Sequence, residues 1–491
     1  MARKLHAFLG AAALLLTSCG GGGGGGGGPP APANTAPAIT SGGTATVPEN
    51  TTGTVYQAAA TDAQGSPVTF SLAGTDAARF AITPAGAISF VAPPDFEAPA
   101  DSGANNVYDL LLTASDGSLT SQIALTITVT NLPEALTVRR IGSGYDEPRQ
   151  IVGIPGSNSL FVVERRGNIF LLDPAVGGPG NLFMTVNNIG TFDTIAGGYG
   201  VLSMVPAQDY ATSGIFYVSV TDPSGTIEIR RYTRATATTG NVASEDVIMR
   251  IPTTVRTGTA IAAWLIFGAD SRLYILTGEG GNRLAVQNTA DLRGKVLRID
   301  LSQDSFPADS ARDYGLLSDN PSFNGTFNEV YAYGLYNPIG ASFTGASHPA
   351  DMLFADNPLG DEGEINLLRP QDKGANYGFP APQTPPAPGV TPPVIRAGIN
   401  TSATGGYIYR GSFVPLRGTY LFGRGRFGIY GVPASQIAQG STIQFGTEHA
   451  ELNPPGVADP FIVSFAEDSQ GELYYLIRPG VTGDVYKIEV R

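Results

Sequence analysis

The sequence predicts an all-β protein, a β-sandwich followed by a β-propeller. Three observations predict it. Gly 64 and Pro 37 in 491 residues make about a fifth of the chain turn-forming, too much for long helices. No stretch sustains a helical 3.6-residue apolar period, while alternating runs such as Val68-Thr69-Phe70-Ser71-Leu72 and Ile123-Ala124-Leu125-Thr126-Ile127-Thr128-Val129 are frequent. The strand signals also come in two styles. Residues 35–133 read as one sandwich of about 100 residues. Residues 136–491 repeat strand pairs closed by Gly or Asp-Gly-like turns, as in Leu160-Phe161-Val162-Val163-Glu164 with Asn168-Ile169-Phe170-Leu171-Leu172, then Arg272–Leu276, Thr419–Phe422, Glu472–Leu476 and Asp484–Ile488. All-β units recurring in this way point to a propeller, whose closure removes exposed sheet edges.

The N-terminus reads as a targeting and anchoring segment. Arg3 and Lys4 precede an apolar run, Leu5 to Leu16, too short to span a bilayer. Leu16-Thr17-Ser18-Cys19 resembles a lipobox. It implies a signal peptide over 1–18, lipidation of Cys19 and a bacterial lipoprotein of the cell envelope, facing the periplasm or the cell surface. Gly20 to Gly28 and then Pro29-Pro30-Ala31-Pro32 make 19–34 a tether. The membrane is thus an expected partner, through acyl chains contributing about 0.8 kcal/mol per buried CH₂. Cys19 is the single cysteine, so no intramolecular disulfide and no cysteine-rich zinc site can form. With 42 acidic against 29 basic residues the net charge is −13, which disfavours nucleic acid as a partner.

The 35–133 unit carries Pro48-Glu49-Asn50, Ala60-Thr61-Asp62, Asp95-Phe96-Glu97, Leu110–Gly117 and Val129-Thr130-Asn131-Leu132-Pro133 in that order. That order resembles a cadherin-like repeat. The resemblance implies Ca²⁺ held by Glu49, Asp95 and Glu97, because a hard cation takes six to eight oxygens. The exit lacks the usual aspartates, and a metal-free spacer sandwich is the alternative.

Residues 136–491 carry a second series. It comprises Leu160–Gly167, Gly200–Tyr210, Phe267-Gly268-Ala269-Asp270, Leu292–Ile299, Ser318–Phe323, Val330–Pro338, Glu364-Ile365-Asn366, Gly374–Pro380 and Gly405–Gly411. In this order the motifs resemble the soluble glucose and sorbosone dehydrogenase family. The resemblance implies a six-bladed propeller, with PQQ and Ca²⁺ in a central funnel and a sugar as substrate.

The same resemblance exposes departures. It places a base histidine where this chain has Ala207, and a further histidine where it has Ala260. An alanine cannot take the hydroxyl proton. It places arginines for the PQQ carboxylates where the chain has Tyr336 and, in Pro460-Phe461-Ile462, Ile462. Asn337 keeps its cofactor-binding position. Arg424 and Arg426 stand near a cofactor-contacting lysine of the family, with a solvated turn on the rim as the alternative. Asp356, Asp361, Glu362 and Glu364 surround the region that holds Ca²⁺ in the family. The remaining imidazoles of the folded part, His348 and His449, lie in loops. The expectation is a lipid-anchored, PQQ-dependent sugar dehydrogenase-like protein with a diverged site and little or no glucose turnover. The alternative is a non-catalytic propeller binding glycan or protein on a calcium-binding stalk.

Overall fold

The computed structural model describes residues 32–132, 135–190, 199–253, 260–345, 350–358, 362–380 and 388–490. Two compact units divide at Pro133–Glu134. Cys19 and most of the tether lie outside the described residues.

The first unit is a sandwich of two main sheets. One orders Thr44–Pro48, Thr120–Thr130, Val107–Ser115 and Thr69–Ala73, with the first two parallel. The other orders Thr54–Gln57, Ala87–Phe90 and Phe80–Ile82. The period-2 pattern explains the packing: Tyr108, Leu110, Leu112 and Ala114 are buried alternately along one strand, and the first three meet Ile88 and Phe80 of the facing sheet in one core.

The second unit is a propeller of six sheets. Six strands run in one direction around its axis: Pro148–Gly153, Val201–Pro206, Ala263–Phe267, Pro338–Phe343, Ala403–Ile408 and Ile462–Glu467. Each contacts the next, and the last contacts the first. Each opens one blade, and three further strands pair outward from it, joined through antiparallel pairs. Blade four gains Ile443–Gln444 as a parallel fifth strand. In blade six the outermost strand is Leu136–Asp146, from the start of the unit, paired with Thr482–Val490 at its end. Closing the ring with the two ends of the unit ties its termini together and leaves no open gap between blades.

Blades pack face to face, so their middle strands are covered on both sides. Leu160–Glu164, Leu273–Thr277, Met352–Asp356 and Leu473–Ile477 are buried at every position. This is why those segments read as continuous apolar runs, not as alternating ones.

Candidate functional site

The parallel run of the inner strands gives the ring two chemically distinct ends. The end where these strands begin also collects the ends of the second strands, since Pro148 pairs with Glu164, Ala403 with Arg424 and Ile462 with Ile477. A cavity of about 300 Å³ opens there. It is lined by Arg149, Arg165 and Arg478, by Asn337, Asn357 and Thr404, and by the apolar Ile339, Phe461 and Ile462. Its size sits at the lower bound for small-molecule sites.

Local backbone structure fixes the three arginines. Arg149 is the second residue of the first inner strand. Arg165 follows the second strand of that blade. Its N–H bonds Glu147 O at 3.1 Å and its carbonyl accepts from Val201 N–H at 2.8 Å. Gly200 makes that approach possible: its φ is +88°, and a Cβ there would lie 2.1 Å from Arg165 O. Arg478 follows the second strand of blade six, with its N–H on Phe461 O at 2.9 Å.

Among the described residues, neither Arg149 nor Arg478 has a carboxylate at ion-pair distance. Arg149 Nε is buried without a hydrogen-bond partner. Burial, followed by the Arg165 and Arg478 charges, pushes the Arg149 guanidinium down to about 9. Arg165 is likewise lowered by burial and by Arg478, against the pull of Glu147. Arg149 is enclosed by the ring yet keeps accessible surface, because that surface faces the cavity. Buried cations without matching anions are costly, and a polycarboxylate is the complementary ligand.

Asn337 is positioned by a buried carboxylate. Asp356 accepts the N–H groups of Tyr336 at 2.9 Å, of Asn337 at 2.6 Å and of Asn357 at 3.0 Å. Burial dominates over these bonds and pushes Asp356 up to about 6. The Tyr336 side chain leaves the cavity for an apolar cluster with Ala260, Val286 and Phe379. Its ring centroid lies 4.6 Å from that of Phe379.

The other sequence-derived positions divide. Ala207 follows the end of the inner strand Val201–Pro206, at the opposite end of the ring, where it packs in the hydrophobic core. A side chain there does not reach the cavity. Ala260 precedes the inner strand of blade three, on the cavity side, in contact with Tyr336. Ile462 and Phe461 do line the cavity as apolar walls. Arg424 is at the same end but is held away from it. Its Nε bonds Ala397 O at 2.6 Å, and its guanidinium lies over Phe445, Phe427 and Tyr430. Arg426 is exposed in the following turn. His449 sits at the outer edge of blade five, 2.8 Å from Glu451. His348 and Asp361 lie outside the described residues. Glu362 and Glu364 flank Arg396 at 3.2 and 3.6 Å.

The cavity nevertheless holds arginines that the sequence reading did not single out. Arginines are absent at Tyr336 and Ile462 but present at Arg149, Arg165 and Arg478. Arg149 and Arg165 meet within blade one, where Pro148 pairs with Glu164, but Arg478 joins them only across the closure between blades six and one, and sequence reading missed the cluster for that reason. Arg165 lay within the Leu160–Gly167 motif, the one available signal.

In the sandwich, Glu49, Asp95 and Glu97 offer ligand atoms all within 4.8 Å of one another. Glu49 already accepts Phe96 N–H at 3.0 Å and Leu132 N–H at 2.8 Å. Burial, then Glu49, raises the Glu97 carboxyl, as expected of acids crowded together.

Comparison with known proteins agrees with this architecture. The chain is 25% identical to the HIPL1 protein of Arabidopsis thaliana over 444 residues, 71% of this chain and 62% of that protein. It is 27% identical to quinoprotein glucose dehydrogenase B of Acinetobacter calcoaceticus, over 48% of this chain and 51% of that protein. The chain thus spans less than two thirds of these relatives. The PQQ-bound aldose sugar dehydrogenase of Streptomyces coelicolor shares the fold, with TM-score 0.55 and 21% identity, over 73% of this chain and 99% of that structure. The apo aldose sugar dehydrogenase of Escherichia coli gives TM-score 0.54 and 19% identity, over 73% of this chain and 100% of that structure. The family described as glucose/sorbosone dehydrogenase matches residues 145–418, more than half of the chain, and the protein belongs to that family.

Proposed function

We propose that this protein binds PQQ in the Arg149–Arg165–Arg478 cavity and oxidises a sugar or sugar-like alcohol there. The observation that carries the reading is the arginine cluster itself, with a buried Arg149 Nε that no acceptor among the described residues satisfies. PQQ is planar and carries three carboxylates. The three guanidinium groups suit those carboxylates, Asn337 and Asn357 add amides, and Phe461, Ile339 and Ile462 offer apolar walls to a flat ring system. When bound, PQQ supplies a two-electron, hydride-accepting quinone. The chain's residues hold and orient it, and Asp356 keeps Asn337 in place.

The expectation of a nearly silent site had two grounds, missing arginines and a missing base. The cavity arginines weigh against the first. The test is a titration of PQQ into the purified protein, read by fluorescence of its single tryptophan, Trp264, which belongs to the inner strand of blade three. Dye reduction over a panel of aldoses follows. Saturable quenching with sugar-dependent dye reduction supports the reading. A protein that ignores PQQ but retains a glycan or another protein supports the binding-module alternative.

Two further expectations stand as proposals. Lipid on Cys19 anchors the protein to the envelope membrane, and Cys19→Ala should move it to the soluble fraction. Ca²⁺ at Glu49, Asp95 and Glu97 steadies the sandwich, since neutralising clustered acids relieves their repulsion.

A further inference from the structure

The described carboxylates at the cavity end of the ring include Glu147, Glu164, Glu279, Asp356, Glu362 and Glu364. Five of these are committed. Glu147 lies 3.5 Å from Arg166. Glu164 accepts the Asp146 N–H at 2.7 Å and the Asn168 amide at 2.9 Å. Asp356 holds three backbone N–H groups, and Glu362 and Glu364 flank Arg396. The one buried lysine nearby, Lys295, is occupied too, donating to the carbonyls of Ala285, Val286 and Arg293.

Glu279 is different. It is 6% exposed; its Oε2, like Glu147 Oε2 and Glu364 Oε1, is buried with no hydrogen-bond partner among the described residues, but unlike those two it also has no arginine at ion-pair distance among them. It follows the second strand of blade three, Leu273–Thr277, whose last residue pairs with Ala263 at the start of the inner strand. Its N–H bonds Tyr336 O at 2.9 Å, one residue before Asn337 of the cavity. The next N–H, of Gly280, reaches Ala260 O at 3.4 Å. On the other flank, a Cβ at Gly278 would lie 2.0 Å from Ala260 O. This tight packing places Glu279 against Ala260 and Tyr336. Ala260 is one of the two positions where the resemblance places an imidazole, and it is the one on the cavity side.

We propose that Glu279 Oε2, and not a histidine, accepts the hydroxyl proton of the substrate. This rests on the PQQ reading above. In the step, the substrate O–H bond breaks and its proton passes to Oε2. The C–H bond breaks with its electron pair, which leaves as hydride to the o-quinone acceptor. A carbonyl forms, and the two electrons later pass to an external acceptor. Burial raises the Glu279 carboxyl above its ordinary range, opposed by Gly281 N–H, Arg283 and Arg293. A raised carboxyl is a stronger proton acceptor than a solvated one, closer to working pH. The charged groups facing it are Arg283 and Arg293 of its own blade. The segment across from it, Tyr336, presents a carbonyl.

The test uses Glu279→Gln, which keeps the shape, and Glu279→Asp, which keeps the acid. In the unliganded protein, an infrared difference between wild type and Glu279→Gln should show one carboxyl titrating above the ordinary Glu value of about 4.3. With PQQ, Glu279→Gln should keep its affinity within twofold and lose about 10²–10⁴-fold in turnover. Glu279→Asp should recover part of the turnover with a shifted acid limb. Turnover of Glu279→Gln within threefold of wild type would overturn the proposal, and so would wild type that binds PQQ yet oxidises no sugar. Absence of a titrating Glu279 band would overturn it without any cofactor. Failure of wild type to bind PQQ would instead sink the functional reading, leaving the infrared result to judge Glu279.

Discussion

The two ends of the propeller differ in one respect: both pair arginines with carboxylates, as Arg293 with Asp291 and Arg396 with Glu362 at the cavity end, but only the cavity end also holds arginines in a cavity with no ion pair among the described residues. At the far end, where the inner strands finish, Arg298 bridges Asp270 and Asp319 at 2.8 and 2.9 Å. There Arg272 pairs with Asp300, Arg369 with Asp372 at 2.6 Å and Arg410 with Glu467 at 2.8 Å. At the cavity end, Arg149 and Arg478 have no ion pair among the described residues, and Arg149 lies deep in the ring. Both ends share one scaffold and the same blade geometry, so the fold does not require unpaired cations. The far end shows what arginine does when it serves stability. Among the described residues no carboxylate pairs with Arg149 or Arg478, and an added anion would balance that charge, a cost borne by many functional sites.

Breaking the cavity cluster should have the largest effect. Arg149→Gln with Arg478→Gln removes two charge-assisted partners, each contributing about 1.5–3 kcal/mol. PQQ affinity should fall by roughly 100-fold or more, measured by titration. The matching change at the far end, Arg298→Gln, should leave PQQ affinity unaltered and lower the unfolding temperature, because Asp270 and Asp319 lose their shared partner.

Asp356 sharpens the contrast with an effect of intermediate size. Asp356→Asn places an amide donor among three N–H groups, so the Tyr336–Asn337 turn should loosen and PQQ affinity should drop about tenfold. The pH dependence has a definite sign. The folded carboxyl is raised to about 6, so its contribution to stability is complete below the unfolded value of about 3.9 and is lost as pH rises through 6. Chemical denaturation across pH 4–7 should show this slope in wild type and a flatter one in Asp356→Asn.

The smallest effect is the most diagnostic of a stored cost. Arg149→Met removes a buried charge without a counter-ion and retains the volume of its stem. Unliganded protein should be more stable by about 1 kcal/mol, seen as a higher unfolding temperature, while PQQ stabilises it less than it stabilises wild type. Loss of stability on this substitution would mean that Arg149 has a partner within the protein.

How much of this was legible in the sequence follows from distance along the chain. The strand pairs of the blades are local, and their apolar runs and turn glycines announced them. The sandwich core was equally readable, because alternation along Val107–Ser115 depends only on that strand. Asn337 was found through its own short motif. Arg149, Arg165 and Arg478 were not found, because their meeting depends on which strand ends converge on the axis and on closure between blades one and six. Ala207 and Ala260 carried the same message in sequence, a missing imidazole. Only the direction of the inner strands separates them, sending one to the far end and one to the cavity. Glu279 carries no motif of its own; what marks it is burial beside Ala260.

The central claim is that the cavity cations exist to hold a polycarboxylate cofactor. Tryptophan-quench titration of PQQ into wild type, Arg149→Gln/Arg478→Gln and Arg298→Gln, at one fixed salt concentration, tests it most directly. The account predicts saturable binding to wild type and Arg298→Gln with equal affinity, and a loss of about 100-fold or more in the double variant. Equal PQQ affinity in all three proteins, or none in wild type, would contradict it.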